Sequence, residues 1–590
     1  MMGLRSLLLL GLYLTSLTSV YAHHLRHAQL NSVNSYISHE SPIAQAGLLA
    51  NIGPDGAKSS GAMAGIVIAS PSRSNPDYLY TWTRDASLVF KVLIDQFTSG
   101  SQDKSQRALI DDFVSAEAFL QQIPNLSGGV SSGGLGEPKF YINETAFNGE
   151  WGRPQNDGPA LRATAIINYA NWLIDHGNTS WVTNILWPVI KLDLDFVALH
   201  WNLTTYDLWE EIYSSSFFTT AVQHRALREG SSLAAKIGQK SVIGAYEAEA
   251  DQILCFLQSY WNPGDTYITA NTAPGRSGKD ANTVLASIHT FDPAAGCDAA
   301  TFQPCSDKAL ANLKAYVDSF RPVYTLNRGK ASNAAVATGR YPEDVYYNGN
   351  PWYLTTFAVA EQLYDALIVW EAQHELQVTK TSLEFFRQFD PFVEVGTYAS
   401  WTLTYQTMTS AIKTFADGFV LENAKYTPSN GELSEQYDKS TGQQTSAIDL
   451  TWSYASALTV FAARSGFTTP SWGAKGLKVP TTCEAYGTAT KTVPVTFNVN
   501  ATTVLGENIY ITGGVPALRN WSPDDALLLS AADYPIWTTL RAVTISLPAD
   551  TVIQYKYLRK YNGSVTWELD PNGQIATPGS GNFTETDTWR

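Results

Sequence analysis

The chain reads as a large all-α domain over residues 28–465, a short linker at 466–491 and a small all-β sandwich over residues 492–590. Three features carry that division. Up to about residue 465, apolar residues recur at three- and four-residue spacing, the period of helices that bury one face. From Gly466 to about Thr492 the period disappears into Pro, Gly, Thr and Lys. Beyond it the apolar period becomes two, as in strands with one face on a core.

Ahead of the first helix, Arg5, the apolar run from Leu7 and the close at Val20-Tyr21-Ala22 have the order of a secretory signal peptide, residues 1–22. A secreted, extracellular protein is expected. The run is too short for a bilayer, which takes about 20 apolar residues. Clear helical periods follow at 86–97, 108–123, 161–176, 182–201, 246–260, 351–370, 397–415 and 450–464. With weaker segments they make about a dozen helices. Long loops rich in Gly, Pro, Trp and Tyr separate them at 127–157, 261–278, 341–350 and 430–444. Loops of that length on a compact scaffold carry function more often than packing. In the C-terminal part, strands are expected at 493–499, 508–513, 542–547 and 552–558, with turn residues between them.

A formal net charge of -15 and the lack of a long basic run remove the attraction that nucleic acid or an anionic membrane exerts on a protein. Neither is expected as a partner. The 17 Trp and 30 Tyr offer flat apolar faces beside hydrogen-bonding groups, which suit amphipathic plates such as sugar rings. Cys255, Cys297, Cys305 and Cys483 permit three pairings in an oxidising compartment. Spacing favours Cys297 with Cys305 across a short Pro-containing loop, which leaves Cys255 for Cys483. The cysteines lack C-x-x-C spacing and the His form no H-E-x-x-H, so no metal is expected. Sequons at Asn125, Asn143, Asn178, Asn202, Asn500, Asn520, Asn562 and Asn582 fit a secretory route.

The stretch Tyr206-Asp207-Leu208-Trp209-Glu210-Glu211 puts two adjacent carboxylates behind an indole. A carboxyl held against an apolar ring loses solvation of its charged form, and its pKa rises toward that of a general acid. Two acids and a Trp also make an ordinary surface helix turn. Tyr78-Leu79-Tyr80-Thr81-Trp82-Thr83-Arg84-Asp85 precedes a clear helix, so Asp85 reads either as a cap or, with Arg84, as a clamp on a polar ring. Trp151-Gly152-Arg153-Pro154 and Gly339-Arg340-Tyr341-Pro342 again set an Arg beside an aromatic. Gly431 to Asp438 forms an acidic, aromatic loop that includes Glu435.

These strings occur in order with Arg-Ser-Gly-Lys-Asp-Ala-Asn, Tyr-Asn-Gly-Asn-Pro-Trp and Asp-Leu-Thr-Trp-Ser-Tyr. Together they make the chain from about residue 28 to 483 similar to the fungal glucoamylases of glycoside hydrolase family 15. The segment 492–590, ending Thr586-Asp587-Thr588-Trp589-Arg590, resembles a family 20 starch-binding module. The resemblance implies an (α/α)6 barrel with its pocket in the loops at one end. By motif match it makes Glu210 the general acid and Glu435 the general base of an inverting reaction. Arg84, Asp85 and Arg340 match residues that hold the hydroxyls of a terminal glucose. Tyr78, Trp82, Trp151 and Trp352 match aromatic walls, and Trp209 and Glu211 match residues that position the acid and bind the next sugar. The family's disulfides agree with the pairing favoured by spacing.

In the C-terminal module, Trp521, Lys556, Trp567, Glu568 and Asn572 match one glucan-binding site and Tyr510 with Tyr534 a second, while Trp537 reads as support. The implied protein is a monomeric exo-acting enzyme without cofactor that releases β-D-glucose from the non-reducing ends of starch and maltooligosaccharides. Two other readings are open: a hydrolase of the same barrel with different linkage preference, such as a glucodextranase or trehalase, and a non-catalytic starch-binding protein. The loss of either acid would favour the last, and both are present. The chain departs from many relatives in its short linker, in having no cysteine after Cys483, and in the sequon residue Asn520 beside Trp521.

Overall fold

Among the described residues, twelve long helices build the N-terminal unit of the computed structural model: α1 (Val33–Ala50), α2 (Thr83–Ser99), α3 (Lys104–Leu120), α4 (Asp157–Asp175), α5 (Trp187–His200), α6 (Phe217–Lys236), α7 (Ile243–Gln258), α8 (Ala281–His289), α9 (Asp307–Ser319), α10 (Tyr353–Gln373), α11 (Leu403–Tyr426) and α12 (Thr451–Arg464). The structure describes residues 32–100, 103–483, 492–523, 526–539, 545–549, 552–579 and 581–590. The expected signal peptide and residues 28–31 lie outside them. Burial decides the place of each helix. α4, α6, α10 and α12 are buried nearly all round at their N-terminal ends, while α1, α3 and α11 bury one stripe.

The even-numbered helices form a closed inner ring, in which α2, α4, α6, α8, α10 and α12 each pack on the next and α12 returns to α2. Each odd-numbered helix from α3 to α11 packs outside the inner helix that precedes it, and α1 covers α12. This is an (α/α)6 barrel. Small residues permit the close approaches, as at Gly230 of α6, where an added Cβ would lie 2.3 Å from Leu194 of α5. Buried charges tie the layers together: Arg162 of α4 donates to Asp193 of α5 at 2.6 and 2.8 Å and to Glu117 of α3 at 2.9 Å. Among the described residues no helix is long and apolar enough to cross a membrane.

Two boundaries differ from the sequence reading. The helix expected at 397–415 begins only at Leu403, because Gly396–Ala399 pairs as a strand with Glu375–Val378, and the Thr402 hydroxyl then caps the helix by accepting from the Tyr405 amide. Thr397 and Tyr398 suit a strand as readily as a helix, and the partner strand settled it. The segment 466–483, read as the start of a linker, belongs instead to the helical unit. Trp472 is buried there and donates to the Thr290 carbonyl at 3.0 Å, while the Asp292 carboxylate accepts from Ser471, Gly473 and Ala474. Its end is fastened by the Cys255–Cys483 disulfide, and the second bridge is Cys297–Cys305. Of the expected linker, 484–491 lies outside the described residues.

Among the described residues the C-terminal unit holds two five-stranded sheets. Its strands are β1 (Thr492–Asn500), β2 (Asn508–Gly513), β3 (Leu527–Leu528), β4 (Ser530–Asp533), β5 (Ile536–Thr538), β6 (Ile545–Pro548), β7 (Val552–Tyr561), β8 (Ser564–Trp567), β9 (Gly573–Ala576) and β10 (Phe583–Thr588). One sheet runs β4-β5-β1-β6 with β10 parallel to β1, and the other runs β3-β2-β7-β8 with β9 on β7. Alternate residues fill the space between them: Val493, Val495, Phe497 and Val499 from β1, Ile509 and Ile511 from β2, Ile553, Tyr555 and Tyr557 from β7. The period of two in the sequence is this alternation. Trp537 is buried and donates to the Ala501 carbonyl at 3.1 Å, the structural part expected of it.

One buried acid in α1 has a consequence for stability. Glu40 is fully buried, neither carboxylate oxygen has a hydrogen-bond partner among the described residues, and burial pushes the group up to about 8. Its folded pKa therefore lies above the unfolded value, and the stability it contributes is complete below about pH 4.5 and lost as pH rises toward 8. Thermal melts across that window should show the Glu40→Gln variant gaining on the unaltered protein as pH increases. Parallel curves for the two would contradict the assignment.

Candidate active site

Because every inner helix starts at the same end of the ring, the residues just before those starts converge. There they line a cavity of about 610 Å³ with the loops that link the helices. Tyr78, Trp82, Arg84, Asp85, Trp151, Trp209, Glu210, Glu211, Arg340, Trp352 and Glu435 all face it, so the expected residues meet in one place. The unit brings together positions more than 350 residues apart in the chain.

The stretch that carries Glu210 is the tip of a β-hairpin rather than a helix turn: Thr205–Tyr206 pairs with Tyr213–Ser214, and the Asp207 amide donates to the Ile212 carbonyl. The buried Asp207 carboxylate holds the tip from inside by accepting from the amides of Glu211 at 3.0 Å and Ile212 at 3.2 Å. Glu210 itself has φ +66°, a left-handed conformation that costs a residue other than glycine about 1–3 kcal/mol. The turn aims its side chain into the cavity. Its Oε1 accepts from Trp82 Nε1 at 2.6 Å and Gln155 Nε2 at 3.0 Å, with the Arg84 guanidinium at 3.6 Å. The indole that touches this carboxylate is thus that of Trp82, through a polar N–H. The indole of Trp209, adjacent in sequence, donates at 2.7 Å to the buried Asp280 instead.

Glu211 faces a different network. Its oxygens accept from Arg340 at 2.9 Å, Arg276 at 2.6 Å and the Tyr341 hydroxyl. Although burial works against ionisation, Arg340, Tyr341 and Arg276 together hold this carboxyl below its usual range. Arg340 is 3% exposed, forms a two-point contact with Asp344 at 2.8 and 2.6 Å, and is surrounded by the rings of Trp209, Tyr341, Tyr346 and Trp352. On the other side, Arg84 donates to Gln155 at 2.9 Å and Asp157 at 3.0 Å. Burial pushes the adjacent Asp85 up to about 7, against the pull of Arg84.

Glu435 comes from the 430–444 loop, where Gln436–Tyr437 pairs with Gln444–Thr445 and Gln436 also bridges to Trp352. It is 1% exposed, and burial pushes it up to about 7. Hydrogen bonds from the Ser446 hydroxyl and the Gln436 amide, together with the field of Arg340, act in the opposite direction. Tyr78 lies close by and shares a 2.7 Å hydroxyl contact with Tyr346. Among the described residues the buried indole N–H groups of Trp151 and Trp352 have no partner.

Several residues here were not singled out from the sequence. Lys139 is 2% exposed, with its ammonium 3.4 to 4.7 Å from the centres of the Tyr80, Trp82, Phe147 and Trp151 rings. Burial brings it down to about 8, and Glu210 pulls the other way. No motif announced it, since it enters only because its strand pairs with that of Trp82. Arg276, Asp280, Tyr347 and Trp452 lay inside strings already noted, and Gln155, Tyr346 and Ser446 follow or precede them closely.

In the C-terminal unit, Trp567 on β8 is exposed, Trp521 half-buried, and the Lys556 ammonium is paired with Asp570. Asn572 donates to Gln554 at 3.0 Å, and the Gln554 carbonyl also accepts from Gly514, against which the Trp521 indole lies. Glu568 differs from its expected company. It is 4% exposed and paired with Arg590 at 3.1 Å, and it also accepts from the Tyr557 amide. Its position supports β7 and β8 rather than offering a free carboxylate. Tyr534 is half exposed, and the Tyr510 ring carries the Lys560 ammonium at 4.4 Å.

A helical barrel whose helix starts and loops hold carboxyls within an indole-walled cavity, followed by a β-sandwich module, defines a glycoside hydrolase with an attached carbohydrate-binding domain. The chain belongs to the glycosyl hydrolases of family 15, whose model matches residues 42–462, and residues 492–587 match the starch binding domain. It is 60% identical over 569 residues to Glucoamylase-1 of Schizophyllum commune, covering 96% of this chain and 97% of the relative. To the glucoamylase of Neurospora crassa it is 49% identical, with 96% of each chain covered. The solved family 15 glucoamylase from Hypocrea jecorina superposes with a TM-score of 0.75 at 47% identity, over 95% of this chain and 100% of that one.

The hairpin tip depends on Gly152. A Cβ there would stand 2.7 Å from the Glu210 carbonyl oxygen and about as close to the Tyr206 ring. Gly152→Ala must therefore displace the Glu210 turn, and kcat should fall at least about tenfold, since misplacement by 1 Å can cost a hundredfold. Steady-state kinetics on a soluble dextrin, with circular dichroism as the check on folding, measure it.

Proposed function

We propose that the 610 Å³ cavity is the active site of an exo-acting glucan 1,4-α-glucosidase that inverts configuration, with Glu210 as general acid and Glu435 as general base. The observation that carries this reading is the separate anchoring of two carboxyls around one cavity, Glu210 on Trp82 and Gln155, Glu435 on Ser446 and Gln436. Family membership and the shared name of its relatives support the substrate. Glu210 gives a proton to the glycosidic oxygen as the bond to the sugar's anomeric carbon breaks. Glu435 takes a proton from the water that attacks that carbon from the other face, so one proton enters and one leaves, and glucose departs as the β-anomer.

The surrounding residues fit a sugar that arrives by its non-reducing end. Arg84, Asp85 and Arg340 offer charged groups to its hydroxyls, while Trp82, Trp151 and Trp352 supply ring faces. Glu211, held ionised by two arginines, acts as a substrate contact rather than as a proton donor. Trp209, anchored on Asp280, stiffens the tip beside the acid. A leader at the N-terminus makes the protein secreted and extracellular, and no cofactor enters the reaction.

Proton NMR of early maltoheptaose digests tests the reading directly. β-Glucose should appear first and alone, and α-glucose, maltose or a ladder of internal fragments would overturn it. Glu210→Gln and Glu435→Gln should each lower kcat by about 10²–10⁴-fold, the usual worth of a general acid or base, with binding retained.

The sandwich unit binds starch through Trp521 and Trp567 with Lys556 and Asn572, and through Tyr510 with Tyr534 at a second place. Trp521→Ala with Trp567→Ala should weaken adsorption to granular starch about tenfold, from the loss of two stacking rings. A depletion assay against the unaltered protein reads it.

A further inference from the structure

The inner ring holds a second cavity, of about 280 Å³, that the proposed reaction leaves unused. It lies toward the C-terminal ends of α2, α8 and α12 and beside the middle of α10, with Phe467, Thr468 and Thr469 across it. Leu88, Val92, Phe291, Leu458 and Phe467 form its apolar wall.

Three carboxyls also reach it, against one ammonium. Asp95 accepts from Lys91 at 2.7 Å, and Glu361 accepts from the Thr459 hydroxyl at 2.5 Å. Asp365, 4% exposed, has no hydrogen bond or ion pair among the described residues. On the same wall, His289 presents a buried Nε2 without a hydrogen-bond partner among the described residues. Burial, Lys91 and Arg225 keep that imidazole neutral, so it can accept a hydrogen bond. A buried carboxyl left alone is costly, and burial with the neighbouring Glu361 pushes Asp365 well above the usual range, with only Lys91 opposing.

We propose that this cavity is a binding site for a primary ammonium ion carried on a small apolar body, its charge on Asp365 and Glu361 and its hydrocarbon against Phe291 and Phe467. The donors of such a group have Asp365, Glu361 and His289 Nε2 as acceptors among the lining residues. A cationic guest favours the ionised form of Asp365, which a neutral guest of the same shape does not. A bare metal ion does not suit the wall, and among the described residues no three metal-ligating side chains converge. The volume, at about 30 Å³ for each water-sized unit, corresponds to a guest of about six to ten non-hydrogen atoms.

Benzylammonium is the probe, and benzyl alcohol its neutral counterpart, both added to the full-length protein. Calorimetry and thermal melts should show benzylammonium binding at one site and raising the melting midpoint, with benzyl alcohol giving no shift. Asp365→Asn should weaken the binding at least tenfold, whereas Glu210→Gln should leave it in place. No binding, equal binding of the alcohol, or loss in Glu210→Gln with retention in Asp365→Asn would overturn the proposal, the last by placing the amine in the first cavity. A measurement that needs no variant is a crystal soaked with 4-bromobenzylammonium. Bromine anomalous signal between Asp365 and Phe291 supports the site, and signal elsewhere or none refutes it.

Discussion

The closure of α12 onto α2 is the constraint on which the rest of the catalytic unit depends. It is reinforced where the start of α12 meets the segment between α1 and α2: the Thr451 hydroxyl donates to the Ile68 carbonyl at 2.6 Å, and the Asn51 amide donates to the Asp449 carbonyl and to Thr451, both at 2.9 Å. These groups are buried, and an unmade hydrogen bond at such a place costs about 1–3 kcal/mol. With the ring closed and every outer helix returning the chain to the same end, six inner helices begin side by side. Whatever precedes those helix starts must then converge, which is how Trp82, Asp280, Trp352 and Leu450 come to surround one cavity or its floor.

Three glutamates in that region differ through their surroundings alone. Glu210 sits at a strained hairpin tip on an indole N–H and a glutamine amide. Its neighbour Glu211 is fixed by Arg340 and Arg276, and the two adjacent acids are thereby split between networks. Glu435 is the most deeply buried of the three and is kept company by a hydroxyl and an amide. Asp207, Asp280 and Gly152 do not approach as functional groups, yet each decides where one of the others points.

Burial of charge follows two patterns in the same unit. Arg162 is matched by Asp193 and Glu117 and joins three helices. Among the described residues Glu40 has no hydrogen-bond partner inside α1, and Asp365 lies against the second cavity beside Glu361. A satisfied cluster adds rigidity and ties layers together, whereas an unsatisfied carboxyl makes the fold sensitive to pH or to a guest that can pair with it.

Helix and strand periods were legible in the sequence because burial of one face imposes 3.6 or 2 on the apolar residues, and this sufficed for the two-part architecture and most of the long helices. The ordered aromatic and acidic strings named the residues that the structure gathers in the cavity. What they left open was decided by partners distant in the chain. Residues 396–399 became a strand because 375–378 offered the ladder, and 466–483 joined the barrel because Asp292 and Thr290 bind it. Lys139 entered the site only through strand pairing with Trp82, and the indole on Glu210 proved to be that of Trp82 rather than Trp209. The sequence by itself determined which side chains are present and which faces are apolar, since those follow from local period and chemistry. Only the tertiary structure decided which carboxyl meets which donor, because hydrogen bonds and burial depend on groups that the chain brings together from hundreds of residues apart.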